Sequence, residues 1–242
     1  MPIFRIKNKI IYYAHVPKAG GSSIADFFND LGACSAFTFG EQWRQKPRDR
    51  WSSTSPQHID AKSLSDLFPD NFFDACFTVV RHPEDRIISE YKFRAGRSKI
   101  HASLPFNDWL HIVMAASRAN PFAFDGHIRP QTDFIPDNCK IFKLEDGLDK
   151  LNVWLSDAVD MELPGQRFTH HSNKSQNIKV EPDNASRELI NAFYSSDFDR
   201  LNYQARPVNE LPGNRNLSHM KGKILEQLSR VTTNILSQRI PF

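Results

Sequence analysis

The segment His15-Val16-Pro17-Lys18-Ala19-Gly20-Gly21-Ser22-Ser23 gathers the side chains that grip a multiply charged oxyanion. Lys18 brings a full positive charge, and Ser22 and Ser23 bring hydroxyl donors. Gly20 and Gly21 let backbone N–H groups come close to a ligand and converge on one point. Pro17 and Ala19 complete the loop. A Gly-Gly turn beside an exposed lysine is the plain structural alternative, but a lysine, two glycines and two serines together favour an anion cradle. Lys18 precedes the glycines, so the loop is not G-x-x-x-x-G-K-[ST], which argues against an NTP-Mg²⁺ hydrolase.

A second cationic group follows in Arg81-His82-Pro83-Glu84-Asp85-Arg86-Ile87-Ile88-Ser89-Glu90-Tyr91. Arg81 can hold a terminal phosphate through two parallel hydrogen bonds, with Ser89 a helical turn further on. Taken alone, Arg81 could equally pair with a carboxylate. Two such groups would hold two separate anionic parts of one ligand.

These residues need elements to carry them. The β-branched and aromatic run from Lys9 to Val16 reads as a buried strand. Ile24, Phe27, Phe28 and Leu31 then fall on one helical face. Strand, glycine turn and helix open a parallel α/β sheet, and place the loop where such sheets bind ligands. Asp74–Val80 reads as a second buried strand. Pro83, with Glu84 and Asp85 beside it, starts a helix that puts Arg86 and Ser89 on one face. Further helices are expected over Leu64–Phe68, Asn107–Ala119, Asp146–Ala158 and Ser186–Phe198, and a strand over Lys140–Leu144. Cys34–Gln57 reads as an irregular excursion over the sheet edge. From Leu217 to Leu236 an apolar stripe predicts an amphipathic helix, reached through a linker that begins near Arg206.

The two anion-binding segments together resemble the sulfotransferase superfamily, in its carbohydrate and bacterial branch. The loop is similar to its His-x-Pro-Lys-x-Gly-Gly-Ser/Thr-Ser pattern, and the later segment to Arg-x-Pro-x-x-Arg-x-x-Ser-x-Tyr. Ser55-Pro56-Gln57-His58, Lys143-Leu144-Glu145 and Phe193 to Tyr203 extend the resemblance, which covers residues 9 to 203. It implies one P-loop-NTPase-like, three-layer α/β domain over residues 1–205, with a central parallel sheet flanked by helices. Residues 206–242 would be the linker and a helix packed on that domain or on a second copy. It implies transfer of a sulfuryl group from 3′-phosphoadenosine 5′-phosphosulfate (PAPS) to a hydroxyl or amine, leaving 3′-phosphoadenosine 5′-phosphate (PAP). Lys18 to Ser23 would bind the 5′-phosphosulfate, Arg81 and Ser89 the 3′-phosphate, and Lys174 would close over the nucleotide. The branch tilts the acceptor towards a carbohydrate. No metal is demanded.

An acceptor hydroxyl needs a base, and imidazole titrates near neutrality. On the resemblance, His58 takes that role; Pro56 stands where some relatives carry another histidine. Without the resemblance, His58 would read as a surface or capping residue. His127, Arg129 and Gln131 form a polar loop that could face an acceptor, although ordinary loop residues look the same. The His170 to Ser175 cluster, and Trp43 and Trp51 with Arg44, Arg48 and Arg50, invite similar readings, and Glu145 reads as a supporting carboxylate or an ordinary strand end.

Composition sets the limits. The 242 residues are 40% hydrophobic and 24% charged, as in an ordinary globular chain able to bury one core. A net charge of +3 is too slight to suggest a nucleic-acid protein. No apolar run nears the ~20 residues of a membrane span, and the start lacks a signal peptide's apolar core, so a cytoplasmic protein is expected. Cys34, Cys76 and Cys139, far apart and odd in number, read as three reduced and mostly buried thiols. Two other classes remain beside sulfuryl transfer: a kinase-like phosphoryl-transfer enzyme, and a non-catalytic nucleotide-binding scaffold that works through its last helix.

Overall fold

The computed structural model describes residues 2–38, 53–163 and 178–208. Its frame is one five-stranded sheet: β1 (Ile3–Ile6), β2 (Lys9–Ala14), β3 (Cys34–Ala36), β4 (Ala75–Val80) and β5 (Lys140–Lys143). The spatial order is β3-β1-β2-β4-β5. β2, β4 and β5 run parallel, as the strand–loop–helix reading requires. β1 and β3 add an antiparallel edge, so the expected parallel sheet is mixed. β1 is only four residues long and turns back into β2 through Lys7, which takes a left-handed φ of 52°. β3 lies inside the stretch read as irregular.

The central parallel strands β2 and β4 are buried on both faces over most of their length, which is why they are largely apolar, while β5 at the edge keeps two lysines. Alternation still sorts them. Ile11 and Tyr13 of β2 and Phe77 and Val79 of β4 join one cluster with Ile24, Phe27 and Phe28 of α1 (Gly21–Asp30) and, from the helix Asp149–Val159 (α6), Leu151 and Leu155. Tyr12 and Ala14 of β2 and Cys76 and Val80 of β4 face the other way, against Leu64 of α2 (Ala61–Leu67), Phe134 and Leu201. A third cluster packs α3 (Pro83–Ala95) and α5 (Phe106–Ala119) around Trp109 and Tyr194. A short helix, α4 (Lys99–Ala102), links them.

Two expectations are corrected. The helix read over Ser186–Phe198 is two helices, α7 (Asn184–Phe193) and α8 (Ser195–Arg200). They break at Tyr194, whose buried hydroxyl donates to the Ile128 carbonyl at 2.8 Å. The cysteines are not three buried thiols. Cys76 and Cys139 form a disulfide and Cys34 is exposed. Parallel pairing explains the bond: Cys76 lies at the start of β4 and Cys139 just before β5, so the sheet sets their Cα atoms 4.7 Å apart.

Among the described residues no helix is long and apolar enough to cross a membrane. The expected helix over Leu217–Leu236, the His170–Ser175 cluster with Lys174, and Trp43, Trp51 and their arginines lie outside the described residues.

Candidate active site

β2 and β4 are parallel neighbours, so their carboxyl ends open on the same edge of the sheet. Thr78 of β4 reinforces that edge by donating its hydroxyl to the Ala14 carbonyl at 2.8 Å. The loop from His15 leaves β2 there, and α1 starts at Gly21 with its positive end towards the loop. Lys18 takes a left-handed φ of 66° and Gly20 one of 90°. Such values cost a side-chain-bearing residue free energy, and Lys18 bears that cost inside the loop. Gly21 is required for a different reason. A Cβ there would stand 2.0 Å from His15 Nε2, so this glycine makes room for an imidazole.

The Lys18 ammonium lies 3.9 Å from the centre of the Phe93 ring, with Arg97 over the same ring at 3.7 Å. Among the described residues no carboxylate forms an ion pair with it. Burial lowers its pKa; Glu90 opposes that shift, and Arg97, Arg81 and Arg94 reinforce it. A half-buried cation in a positive neighbourhood is what an incoming anion would relieve.

Arg81 follows β4 and is clamped by the backbone. Its N–H donates to Gln131 Oε1 at 2.9 Å, and its carbonyl accepts from Gln131 Nε2 at 2.8 Å. Gln131 is wholly buried. It therefore fixes the strand end and does not face an acceptor. Arg81 and Ser89 line one cavity of about 360 Å³ with Lys92 and Arg187. Of the acids on its wall, Glu84 and Asp85 are occupied by Arg206 at 2.7 and 2.8 Å, and Glu181 is the third.

His58 lies at the end of a short 3-10 turn, Pro56–His58, and is buried. Its Nδ1 meets Asp125 Oδ2 at 2.7 Å, and the Ser55 hydroxyl donates to the same oxygen at 2.8 Å. The Ser55 N–H donates to the other oxygen of Asp125. Asp125 reaches this position through the run Phe124, Asp125, Gly126, with φ of 57°, 60° and 73°. Left-handed backbone at Phe124 and Asp125, which carry side chains, is costly and points to a site where position matters. Burial pushes the His58 imidazole down to about 4 against the pull of Asp125, so the ring is neutral at pH 7. Burial would raise the Asp125 carboxyl, but the hydrogen bonds from His58 and the Ser55 N–H hold it below the usual range.

His58 belongs to a chain of rings. His15 packs tilted against it, ring centres 5.0 Å apart, and His127 meets it edge-on at 4.7 Å. Phe93 lies 6.0 Å from His127 and carries Lys18 above it. His127 Nδ1 is held at 2.8 Å by Glu90, a buried carboxylate that Arg94 also binds. Burial would raise Glu90, yet His127, Arg94 and Lys18 hold it well below the usual carboxylate range. The anion loop and the histidines thus form one continuous surface.

Against this geometry, the Sulfotransferase family profile matches residues 2–204. The chain belongs to that family. No curated protein and no solved structure matches it. Family membership carries sulfuryl transfer as the general activity.

In this sulfotransferase-family chain the remaining sequence candidates divide. His127 joins the site, while Arg129 is engaged by Asp60 at 3.0 Å and Asp133 at 2.9 Å. Glu145 accepts from the His82 N–H at 2.6 Å and from Tyr203 at 2.9 Å, tying the end of β4 to the last described segment. Arg86, almost wholly buried, donates to the carbonyls of His127 and Arg129 at 2.9 and 2.6 Å. It buttresses the loop that brings His127 in.

Sequence reasoning missed Asp125, Glu90 and the spatial role of His15. The Asp125-Gly126 pair signals only a turn, and nothing local ties either carboxylate to a histidine. A larger cavity, about 600 Å³, opens at the amino ends of β4 and β5, lined by Tyr12, Phe73, Cys76 and Cys139. It lies at the end of the sheet away from the loop, so size alone misplaces the site.

Proposed function

We propose that this chain transfers a sulfuryl group from PAPS to a hydroxyl of a carbohydrate or other small acceptor, by in-line displacement. The observation that carries the reading is the His58–Asp125 pair, set on the ring surface that leads to Lys18. The residues fit the donor. Lys18 is a half-buried cation with no carboxylate paired to it among the described residues, and Arg81 and Ser89 share a cavity.

Each residue then has a defined task. Asp125 accepts a hydrogen bond from His58 Nδ1–H, which leaves Nε2 as the basic nitrogen. Nε2 takes the acceptor's hydroxyl proton as the acceptor oxygen bonds to sulfur and the bond from sulfur to the 5′-phosphate oxygen breaks. Lys18 and the loop from Pro17 to Ser23 hold the charge that collects on that phosphate oxygen, without reorganising. Arg81 and Ser89 hold the 3′-phosphate, and Lys174 closes over the nucleotide. The protein's own cations do the neutralising, so the reaction asks for no metal. The proposal extends to one P-loop-like domain over residues 1–205, followed by a linker and a helix that would pack on it or join two copies.

The test is transfer of labelled sulfate from PAPS to a panel of sugars, phenols and amines with added chelator. Sulfated product is expected from at least one hydroxyl acceptor. Hydrolysis or transfer of phosphate from a nucleoside triphosphate, with no sulfated product, would overturn the proposal.

A further inference from the structure

We propose that His58, Asp125 and His127 form a binding site for a divalent transition-metal ion of the zinc class. One ligand atom from each lies within 4.8 Å of the other two. Two imidazole nitrogens and a carboxylate oxygen are a donor set that suits zinc and leaves a fourth position open. His58 Nδ1 and Asp125 Oδ2 stand 2.7 Å apart. Two metal–ligand bonds of ~2.0–2.1 Å at a tetrahedral angle ask for a separation of roughly 3.3 Å, so this pair needs only a small opening. The larger adjustment falls on His127.

The surroundings favour an ion. His127 Nδ1 is bonded to Glu90 at 2.8 Å. A carboxylate behind a ligating imidazole orients the ring, leaves its other nitrogen for the metal, and raises its basicity. His58 and Asp125 are 2% and 8% exposed, so the attraction of the carboxylate for a cation is little screened. A separate observation points the same way. His15 packs against His58, and its buried Nδ1 has no hydrogen-bond partner among the described residues. A buried polar atom left unsatisfied beside such a cluster is what a hydrated ion would satisfy.

Binding at His58 Nδ1 moves that nitrogen's proton to Nε2, because an imidazole ligates as the neutral ring. The ion then occupies the pair that the proposed proton transfer needs, so zinc turns transfer off. That consequence rests on His58 being the base; binding itself does not.

The test is calorimetry with zinc chloride alone on the full chain carrying Cys34→Ser, which removes the exposed thiol as a competing ligand. One ion per chain is expected. His127→Ala and Asp125→Asn should each weaken binding by about tenfold or more, and Glu90→Gln, which keeps all three ligands, by ~10–100-fold. Melting temperatures check that the variants fold. Should His127→Ala fail to fold, His127→Gln replaces it, and the visible spectrum of bound cobalt(II) reports the lost imidazole. No stoichiometric binding at millimolar zinc would overturn the site, as would an affinity that the His127 and Asp125 substitutions leave unchanged. Zinc inhibition of sulfuryl transfer, reversed by chelator, supports both readings. Stoichiometric binding without inhibition supports the metal site and overturns His58 as the base.

Discussion

His58 and Asp125, 67 positions apart in the chain, meet through a 2.7 Å contact between Nδ1 and a carboxylate oxygen. A carboxylate on one nitrogen of an imidazole selects the tautomer and leaves the other nitrogen to accept a proton. The same carboxylate also receives the Ser55 hydroxyl and N–H, so it is held from three directions. Its backbone sits in the left-handed region, with φ of 60°. The fold therefore places a charged group at a strained position and surrounds it with donors.

Asp125→Asn tests that role. Asn tolerates left-handed backbone as Asp does, and its carbonyl can still accept from Ser55. Its amide, however, donates to His58 Nδ1 and imposes the wrong tautomer. The transfer rate should fall by ~10²–10⁴, while the melting temperature and PAP affinity stay near wild type. Stopped assays beside thermal melts check both. An unchanged rate would make Asp125 a purely structural partner.

Arg81→Ala should weaken PAP binding by about tenfold or more, since a charge-assisted contact contributes ~1.5–3 kcal/mol. The strand end should survive, because Gln131 clamps it through the backbone of residue 81 and not through the guanidinium. Calorimetry with PAP reads the affinity. Binding within twofold of wild type would remove the 3′-phosphate from this cavity.

Lys18 gives a dependence on pH. Burial lowers its pKa, with Arg97, Arg81 and Arg94 acting in the same direction. The protonated form is the one that holds an anion, so kcat/KM for the donor should fall as pH rises through this lowered value, earlier than an exposed lysine would allow. At saturating donor the bound anion favours the charged form, and the fall in kcat should move to higher pH. A pH profile of kcat/KM for wild type and Lys18→Arg checks this, because arginine keeps its charge throughout. An alkaline fall that Lys18→Arg retains unchanged would assign it to another group.

The parts of the site carried by local pattern were legible in the sequence. β2, the loop and α1 follow from apolar runs, paired glycines and helical spacing within one short stretch. Pro83 and the acids after it mark the start of α3, which puts Arg81 and Ser89 on one cavity. What stayed hidden depends on distant pairing. The 67-residue reach from His58 to Asp125 is made by three left-handed residues that leave no periodic trace. The Cys76–Cys139 bond follows from β4 and β5 being neighbours, which cysteine spacing cannot reveal. The break between α7 and α8 occurs at Tyr194, where the hydroxyl bonds a carbonyl in another segment. Its apolar spacing continues as though the helix did. His58 was found by resemblance, since its burial and its partner are both tertiary facts.

The most direct measurement is the sulfuryl-transfer rate of His58→Ala with one good acceptor, taken together with its affinity for PAP. A base that acts on the acceptor and not on the nucleotide should lower the rate by ~10²–10⁴ when removed, with PAP binding within about twofold of wild type. A variant that binds PAP normally and transfers at the wild-type rate would contradict the account, because the acceptor's proton would then be leaving by another group.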